Sequence, residues 1–480
     1  MVFNSIAFVA FFAIVCVCCL LTSVKSIKQR LGSHIFLVRH IILLVASYIF
    51  YGWWDWRFAF LMLALSAIAF FCARWLEKTK NKAFLYLGVI VPLVALGVFK
   101  YFNFFISSFV DLFQIKNASA LNIILPVGIS FYTFQSLSYT IDVYRGKIKA
   151  ETSFIKVALY IAFFPQLVAG PIVKAQDFLP QLYEDRNINW SDFQKGIQIF
   201  VVGLFKKIVL SDQISVCVDT VFGAPQQFSG LSVLMAVIAY SIQIYCDFSG
   251  YSDMAIGCAK CLGYDLMRNF NMPYISKNIS EFWKRWHISL STWLMEYLYI
   301  PLGGNRKGKT RTYINLFLTM LIGGLWHGAA WTFVAWGALH GAALCVHKLW
   351  MKCTGHDKHY QGTAIGGILS GVLTYAFVAF CWIFFRASTF ENAWLVIKAL
   401  FTWQSGTHFV SSWTIFGILL IAIFTCVACI RSKKQKTAPD GFYVELDLNT
   451  ILGMTIFLVV LGLALGLAYT GSNPFIYFQF

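Results

Sequence analysis

Long apolar runs recur along the whole 480-residue chain, and they constrain its fold more than any other feature. Apolar residues make up 59% of the sequence and charged residues only 12%, whereas soluble domains carry about 25% charged residues. One water-soluble core cannot hold this much apolar surface, so the composition predicts a lipid bilayer as the solvent. A helix needs about 20 apolar residues to cross a bilayer. The runs therefore predict an all-α, polytopic transmembrane helical bundle.

We interpret the chain as one membrane domain over residues 1–480, because no soluble insertion interrupts the apolar runs. N-terminal helices would fill residues 1–150, a central core with the candidate site residues 151–350, and C-terminal helices with an aromatic tail residues 351–480. By length, the runs predict about eleven to thirteen membrane helices. The proline-containing run 154–173 is expected to form re-entrant or half-membrane helices, since proline breaks helical hydrogen bonding.

Lysine and arginine outnumber aspartate and glutamate by 38 to 21, which gives a formal charge of +17. Basic residues crowd the cytoplasmic loops of membrane proteins, so this excess does not indicate nucleic-acid binding. Lys25, Lys28 and Arg30 follow the first apolar run, 6–21, which reverses the order found in a signal peptide. The first run is therefore predicted to stay as a helix, with the N-terminus outside the cytoplasm.

Thirteen cysteines lie mostly inside apolar runs, where cysteine behaves as a small buried hydrophobic residue. Cys258 and Cys261 form a C-x-x-C pair, but no second pair follows at the spacing of a zinc site. The sequence therefore predicts no metal site.

The stretch 281–293 reads EFWKRWHISLSTW and combines charged residues, a histidine and three tryptophans. On a continuous helix, Lys284, His287 and Ser291 would share one face. Lys284 and Arg285 are candidates for binding the phosphates of a ligand or of lipid headgroups. An equal alternative is an interfacial helix whose lysine and arginine side chains merely extend to the headgroups.

The stretch 323–331 reads GGLWHGAAW and places His327 in a long run without charged residues. An ionisable group in such a run is costly unless it has a partner, and it marks a functional site by default. Gly324 and Gly328 would let a second helix or a thin substrate chain approach the backbone. The alternative is a packed histidine bonded to a nearby carbonyl group. His340 repeats the pattern and is either a supporting or a packing residue.

Histidine is suited to take a proton from a hydroxyl group, because its unperturbed pKa of about 6.5 lies near working pH. Neutral imidazole is also less disfavoured than a carboxylate in a low-dielectric site. The sequence contains no G-x-S-x-G, P-loop or H-E-x-x-H motif that would indicate another chemistry.

Two other regions carry unexpected residue types. Asp247 and Asp253 bring two carboxylates to a predicted helix end, where capping and pore lining both fit. The last residues, 475–480, read FIYFQF, although a free tail is normally polar. This tail is expected to be buried, either in the membrane interface or in a cavity of the protein.

At these residues the sequence resembles the membrane-bound O-acyltransferase (MBOAT) family, and within it the branch of the alginate and peptidoglycan O-acetylation proteins. The most specific matches are YCDFSGYSDMAIG at 245–257, NISEFWKRWHISLSTWL at 278–294 and GGLWHGAAWTFVAWGALHG at 323–341. The motif QLVAGP at 166–171 and the closing FIYFQF also fit. The resemblance implies a helical bundle around a funnel or tunnel that crosses the membrane.

The resemblance also implies roles for single residues. His327 and His287 would be the catalytic histidines, and Tyr477 a possible carrier of the acyl group. The candidates for donor binding or for support of the histidines are Lys284, Arg285, Ser291, Trp326, His340 and Asp247.

The function implied is passage of an acetyl group from a cytoplasmic thioester, acetyl-CoA, across a bacterial inner membrane for O-acetylation of a cell-surface polysaccharide. No tightly bound cofactor is implied. The expected partners are the lipid bilayer, the acyl-CoA donor and an extracytoplasmic SGNH-type acetyltransferase, and no nucleic acid is expected.

Three alternatives of different kinds stay open at this point. A transporter or flippase also uses broken helices and polar groups inside the membrane. A D-alanyl or other acyltransferase of the teichoic acid type belongs to the same superfamily, but the apolar runs after Leu349 argue against it. A lipid or protein acyltransferase of that superfamily would differ only in its acceptor.

Overall fold

The computed structural model describes residues 1–32, 34–115, 121, 123–168, 170–186, 188–355, 363–435, 445–471 and 473–476. Within these ranges the chain is largely helical and forms no β-strand beyond an isolated bridge between Phe228 and Thr407. The prediction of an all-α, polytopic membrane protein is confirmed.

The α-helices are numbered here in chain order, and short 3₁₀- and π-helical turns join several of them. Their bounds are α1 (Ile6–Leu21), α2 (Lys25–Leu31), α3 (His34–Gly52), α4 (Trp56–Thr79), α5 (Lys82–Leu96), α6 (Phe102–Phe113), α7 (Ile129–Tyr144), α8 (Phe154–Ala162), α9 (Phe164–Leu167), α10 (Ala175–Phe178), α11 (Trp190–Phe205), α12 (Asp212–Gly223), α13 (Gly230–Cys261), α14 (Ile279–Arg285), α15 (Ile288–Leu294), α16 (Lys309–His327), α17 (Trp331–Thr354), α18 (Ala364–Arg386), α19 (Phe390–Thr402), α20 (Ser412–Gln435) and α21 (Ile451–Gly466).

Six helical stretches in the described ranges are long and apolar enough to cross a bilayer, and α1 with α2, bent by 67°, would make a seventh if the pair is one span. The six are His34–Gly52, Trp56–Thr79, Lys82–Phe113, Gly230–Cys261, Ile365–Arg386 and Ser412–Ser432. This number is below the predicted one, because several apolar runs form helices that are shorter or more polar than a full span. One of them is the run 154–173, where α8 ends at Ala162 and α9 has four residues, so the predicted break is confirmed.

The described chain divides into two compact units. Unit 1 consists of Met1–Val202, Tyr251–Met267 and Asp447–Met454, and unit 2 consists of Gly203–Gly250, Arg268–Leu446 and Thr455–Phe480. Three of the boundaries fall within α11, α13 and α21, so each unit combines distant parts of the sequence.

Unit 1 packs aromatic rings around the start of α9. The ring of Phe164 lies 5.3 Å from that of Phe11 and 5.7 Å from that of Phe50, centroid to centroid. The backbone N–H of Phe164 donates to the hydroxyl of Ser47 on α3 at 3.1 Å. A side chain thus satisfies a donor that the break between α8 and α9 leaves without a helical partner.

Unit 2 has a core of tryptophan rings drawn from three regions. Trp286, which follows α14, lies 4.9 Å from Trp382 on α18, and Trp382 stacks on Trp336 of α17 at 5.8 Å. All three side chains are buried. Large aromatic rings of this kind bury much surface per residue and fix the elements that carry them. The two histidine motifs of the sequence lie in this core.

Candidate active site

The helix is broken within the first histidine motif. Trp286 has an extended backbone and His287 a left-handed one, with φ of 44°, so α14 and α15 are separate helices of seven residues each. The prediction of a continuous helix with Lys284, His287 and Ser291 on one face is therefore wrong. Lys284 is exposed, whereas the side chain of His287 is fully buried at 0% exposure.

Backbone hydrogen bonds on both sides stabilise this break. The N–H of Ile288 donates to the carbonyl oxygen of Asn269, and the N–H of Asn271 donates to that of Arg285, both at 2.9 Å. A left-handed conformation is uncommon for a residue other than glycine, and it persists where the surroundings enforce it, frequently at functional sites. At His287, the backbone hydrogen bonds to the 269–271 segment enforce this left-handed conformation.

Asn269 determines which nitrogen of His287 carries the proton. Its Oδ1 accepts from the backbone N–H of Ser289 at 3.3 Å and from the Ser289 hydroxyl at 2.9 Å, so the atom facing them is an oxygen. The same Oδ1 lies 3.1 Å from His287 Nδ1. Because an amide oxygen can only accept, Nδ1 carries the hydrogen and Nε2 is the acceptor. Burial lowers the pKa of His287 to about 3, so the ring is neutral at physiological pH.

His327 is the last residue of α16 and is enclosed by aromatic rings, with 3% exposure. The rings of Trp326 and Trp336 each lie 5.0 Å from its ring, and that of Phe385 lies 5.3 Å away. The ring of His287 lies 6.4 Å from that of His327. The two predicted catalytic histidines are thus neighbours in one apolar enclosure, where a pair of imidazoles can accept and return a proton.

Close packing of α16 on α17 fixes the position of His327. A methyl group added at Gly337 would lie 2.5 Å from the carbonyl oxygen of Met320, and one added at Gly324 would overlap the carbonyl oxygen of Phe333. A methyl group at Gly328 would overlap the ring of Phe333. The predicted approach of a second helix at these glycines is therefore present, and α17 is that helix.

His340 on α17 is also fully buried, and it packs against several aromatic rings. Its ring lies 4.8 Å from that of Trp336, 5.1 Å from that of Trp283 and 6.1 Å from that of Phe282. Neither ring nitrogen of His340 has a hydrogen-bond partner among the described residues. Trp336 contacts both His340 and His327, so the third histidine lies one ring away from the predicted catalytic pair.

The other predicted residues around His287 have internal partners. Arg285 pairs with Glu281 at 3.0 Å and donates to the carbonyl oxygen of Asn271 at 3.2 Å. The hydroxyl of Ser291 donates to the carbonyl oxygen of Trp286 at 3.3 Å. Both side chains therefore stabilise the break between α14 and α15, while the exposed Lys284 stays a predicted site for phosphates or headgroups.

Asp247 lies in the middle of α13 and not, as was predicted, at a helix end, and it belongs to a buried ionic cluster. Lys207 Nζ lies 2.7 Å from its Oδ1 and 2.8 Å from Oδ1 of Asp212. Asp247 was predicted from the sequence as a candidate, whereas Lys207 and Asp212 were not. A lysine at the end of the apolar run 193–210 was the available signal, since charges inside such runs are rare.

Asn269 and Ser289 were also missed by sequence reasoning. Both are common polar residues in a polar segment, and their role depends on a contact across 18 to 20 positions of the chain. No local spacing predicts that contact.

Tyr477, the predicted acyl carrier, lies outside the described residues.

Comparison with known proteins gives the class of this chain. The model of the membrane-bound O-acyltransferase family, MBOAT, matches residues 149–367, which include both His287 and His327. A probable alginate O-acetylase AlgI of Azotobacter vinelandii is 36% identical over 481 residues, which cover 92% of this chain and 95% of the relative. The chain therefore belongs to the membrane-bound O-acyltransferase family and is a multi-pass membrane O-acyltransferase.

Two other relatives differ in the acceptor and acyl group that their names state. The peptidoglycan O-acetyltransferase of Helicobacter pylori is 39% identical over 388 residues, covering 75% of this chain and 73% of the relative. The teichoic acid D-alanyltransferase of Bacillus subtilis is 28% identical over 284 residues, covering 56% of this chain and 71% of the relative. The similarity is thus higher and longer with the O-acetylating proteins.

Proposed function

We propose that this protein passes an acetyl group from cytoplasmic acetyl-CoA across the inner membrane of a bacterium, for O-acetylation of a cell-surface polysaccharide. The observation that carries the proposal is the pair of buried imidazoles, His287 and His327, 6.4 Å apart in one aromatic enclosure. The extent of similarity to an alginate O-acetylase and a peptidoglycan O-acetyltransferase supports acetyl as the group.

The chemistry needs a proton acceptor beside the accepting hydroxyl. His327 takes the hydroxyl proton as the oxygen attacks the thioester carbonyl carbon; the carbon–sulfur bond breaks, and the proton leaves with coenzyme A as its thiol. His287 supports this step as a second acceptor, because its hydrogen is on Nδ1. A role of His287 in donating to the oxyanion would require an added proton, which its burial opposes.

The donor is inside the cell and the polymer outside, so the acyl group must cross the membrane and be handed on. We propose a tunnel for this transfer, with Tyr477 as the carrier and an extracytoplasmic SGNH-type acetyltransferase as the partner that acylates the polymer. The basic residues Lys25, Lys28 and Arg30 after the first helix support an N-terminus outside the cytoplasm. A Tyr477→Phe variant with undiminished polymer acetylation would contradict the carrier role.

Mass spectrometry of the cell-surface polymer, with and without the gene, tests the proposal. Loss of acetyl esters from one polysaccharide in the deletion strain, and their return with a plasmid copy, is the expected result. Loss of D-alanyl esters instead would favour the teichoic acid alternative. A change in surface lipid or in transport, with all polymer esters intact, would refute polysaccharide acylation.

A further inference from the structure

Three charged side chains are sealed together inside unit 2. Lys207 has 2% of its side chain exposed, Asp247 has 1% and Asp212 has 6%, and the ammonium lies within 2.8 Å of both carboxylates. Asp247 lies on α13, one of the candidate membrane spans. Buried charges in such a place are costly and are retained where they have a function. The O-acyl transfer chemistry proposed above uses none of the three.

The cluster holds the C-terminal segment of the chain. Lys207 Nζ donates to the carbonyl oxygen of Asn473 at 3.3 Å, and the backbone N–H of Ile476 donates to Oδ2 of Asp247 at 2.9 Å. The two oxygens of Asp247 thus have different partners, since Oδ1 accepts from Lys207 and Oδ2 from the tail. Asp212 bonds to Lys207 and makes no hydrogen bond to the tail among the described residues.

Further bonds tie the same segment to the turn around the cluster. The N–H of Tyr469 donates to the carbonyl oxygen of Ile208 at 3.0 Å, and the amide of Asn473 donates to the hydroxyl of Ser215 at 2.5 Å. Ile208 lies in the π-helix Lys206–Ser211. A π-helical turn interrupts the regular pairing of helical carbonyl groups and is frequent at functional sites.

The held segment ends beside the candidate active site. The ring of Phe475 lies 6.0 Å from that of Phe248, and the ring of Phe248 lies 4.6 Å from that of His287. Phe475 and Ile476 are both buried. One aromatic ring therefore separates the end of the held segment from a predicted catalytic histidine.

We propose that Lys207, Asp212 and Asp247 form an ionic clamp that fixes the described residues of the C-terminal segment, 467–471 and 473–476, with Phe475 one ring away from His287, and so positions the end of the chain for acyl transfer. The acyl-transfer part of this inference rests on the proposed function, and the clamp itself does not. The three are positioning residues, because they act through the tail. Of the two carboxylates, Asp247 is the one whose change releases the tail directly, because it accepts from a tail amide.

Asp247→Asn and Asp212→Asn make a matched pair. Each removes one negative charge, keeps the side-chain volume and leaves Lys207 paired with one carboxylate. Of the two carboxylates, Asp247 is the one that bonds to the tail among the described residues. Hydrogen exchange of the purified full-length chain, read by mass spectrometry, is the direct readout. We expect exchange in the peptide containing 467–476 to be about 10-fold faster in Asp247→Asn and within about 2-fold of wild type in Asp212→Asn.

Polymer acetylation in cells is the second readout, normalised to the amount of folded protein. Asp247→Asn should lower it by about 10-fold, and Asp212→Asn by less. Unchanged tail exchange in Asp247→Asn would overturn the clamp. Faster exchange with full acetylation would overturn the positioning role.

The experiments also distinguish failure of the proposed function, and failure of a variant to fold, from failure of the clamp. If the deletion strain loses no acetyl ester, the proposed function fails, and the exchange experiment still decides whether the clamp exists. If Asp247→Asn does not fold, Asn473→Ala replaces it, because this variant removes the bond to Ser215 without touching a buried charge. Faster tail exchange in Asn473→Ala with lowered acetylation supports the positioning role, and unchanged exchange opposes it.

Discussion

His287 and His340 are both fully buried in unit 2, yet the chain holds their rings in different ways. His287 has a left-handed backbone and a side-chain amide, that of Asn269, beside its Nδ1. His340 sits in a regular helix among aromatic rings, and neither of its nitrogens has a hydrogen-bond partner in the described part of the chain. The ring of His287 is a direct neighbour of His327, whereas His340 is linked to His327 through Trp336, so one ring is held on a polar side and the other on an aromatic side.

This difference is the one expected between a histidine that transfers a proton and a histidine that fills space. Proton transfer requires one defined nitrogen to be free to accept, and a hydrogen bond to the other nitrogen provides that definition. Ring contacts orient an imidazole without choosing its tautomer. We therefore expect substitutions on the His287 side to change the chemistry and substitutions on the His340 side to change packing.

His327→Ala should cause the largest loss of activity, because the His327 ring neighbours His287 and contacts Trp336, which in turn contacts His340. General base catalysis contributes roughly 10²- to 10⁴-fold, so polymer acetylation should fall by at least about 100-fold, measured as acetyl esters per amount of membrane-inserted protein. His347→Ala is the matched control, since His347 lies on α17 and its ring stacks on Trp350 at the partly exposed surface. Wild-type acetylation in His327→Ala would end the catalytic assignment.

Asn269→Leu tests the polar side of the comparison. Leucine keeps the approximate volume and removes the acceptor for His287 Nδ1, so the tautomer is no longer fixed. Loss of such an orienting partner costs roughly 10- to 100-fold in activity. We expect a loss in this range, smaller than that of His327→Ala, with the thermal unfolding midpoint measured in parallel. A loss of activity that only follows the loss of folded protein would show a structural role.

Asn269→Asp refines this test through its pH dependence. The carboxylate still accepts from Nδ1, so more activity should remain than in Asn269→Leu. A negative charge beside the ring favours the imidazolium, so the pKa of His287 should rise from its value of about 3. As the pH falls, this ring then protonates earlier, and the acid side of the pH profile should move to higher pH. An unmoved profile would mean that His287 does not titrate in the reaction.

The sequence predicted some parts of this protein well and other parts poorly. The all-α membrane fold follows from the apolar runs, because lipid requires backbone groups to pair within each helix. His327 was found because an ionisable group inside an apolar run is rare. Both inferences depend on local composition, which a sequence displays directly. Within the described residues, six helical stretches are long and apolar enough to be full spans, fewer than the runs predicted, since run length does not reveal where a helix breaks.

The supporting residues depend on contacts that composition does not display. The break at His287 arises from hydrogen bonds with the 269–271 segment, so a helical periodicity placed Lys284 and Ser291 on its face in error. The ionic cluster joins residues 207, 212 and 247, up to 40 positions apart. Such pairings follow from how helices pack, which neither spacing nor residue type determines.

Gly324→Ala tests the close packing of α16 on α17, which positions His327. The added methyl group overlaps the carbonyl oxygen of Phe333, so α16 and α17 must separate. Overpacking of this kind costs about 1–3 kcal/mol, and we expect a lower thermal unfolding midpoint with a loss of acetylation of a few-fold. Gly462→Ala on α21 is the control, because, outside its own helical turn, no atom of the described residues lies within 4 Å of its added methyl group. Equal midpoints for the two variants would show that the helices tolerate separation there.

His340→Phe should have the smallest effect and is the sharpest test of the comparison. Phenylalanine keeps a flat ring among Trp283, Trp336 and Phe282, and it removes two buried nitrogens that have no hydrogen-bond partner among the described residues. Replacing such groups with an apolar ring of similar shape is close to neutral or stabilising. We expect acetylation within about 3-fold of wild type and an unfolding midpoint that is unchanged or higher. A loss as large as that of His327→Ala would mean that His340 moves a proton in the reaction, and that the aromatic side belongs to the chemistry as much as the polar side.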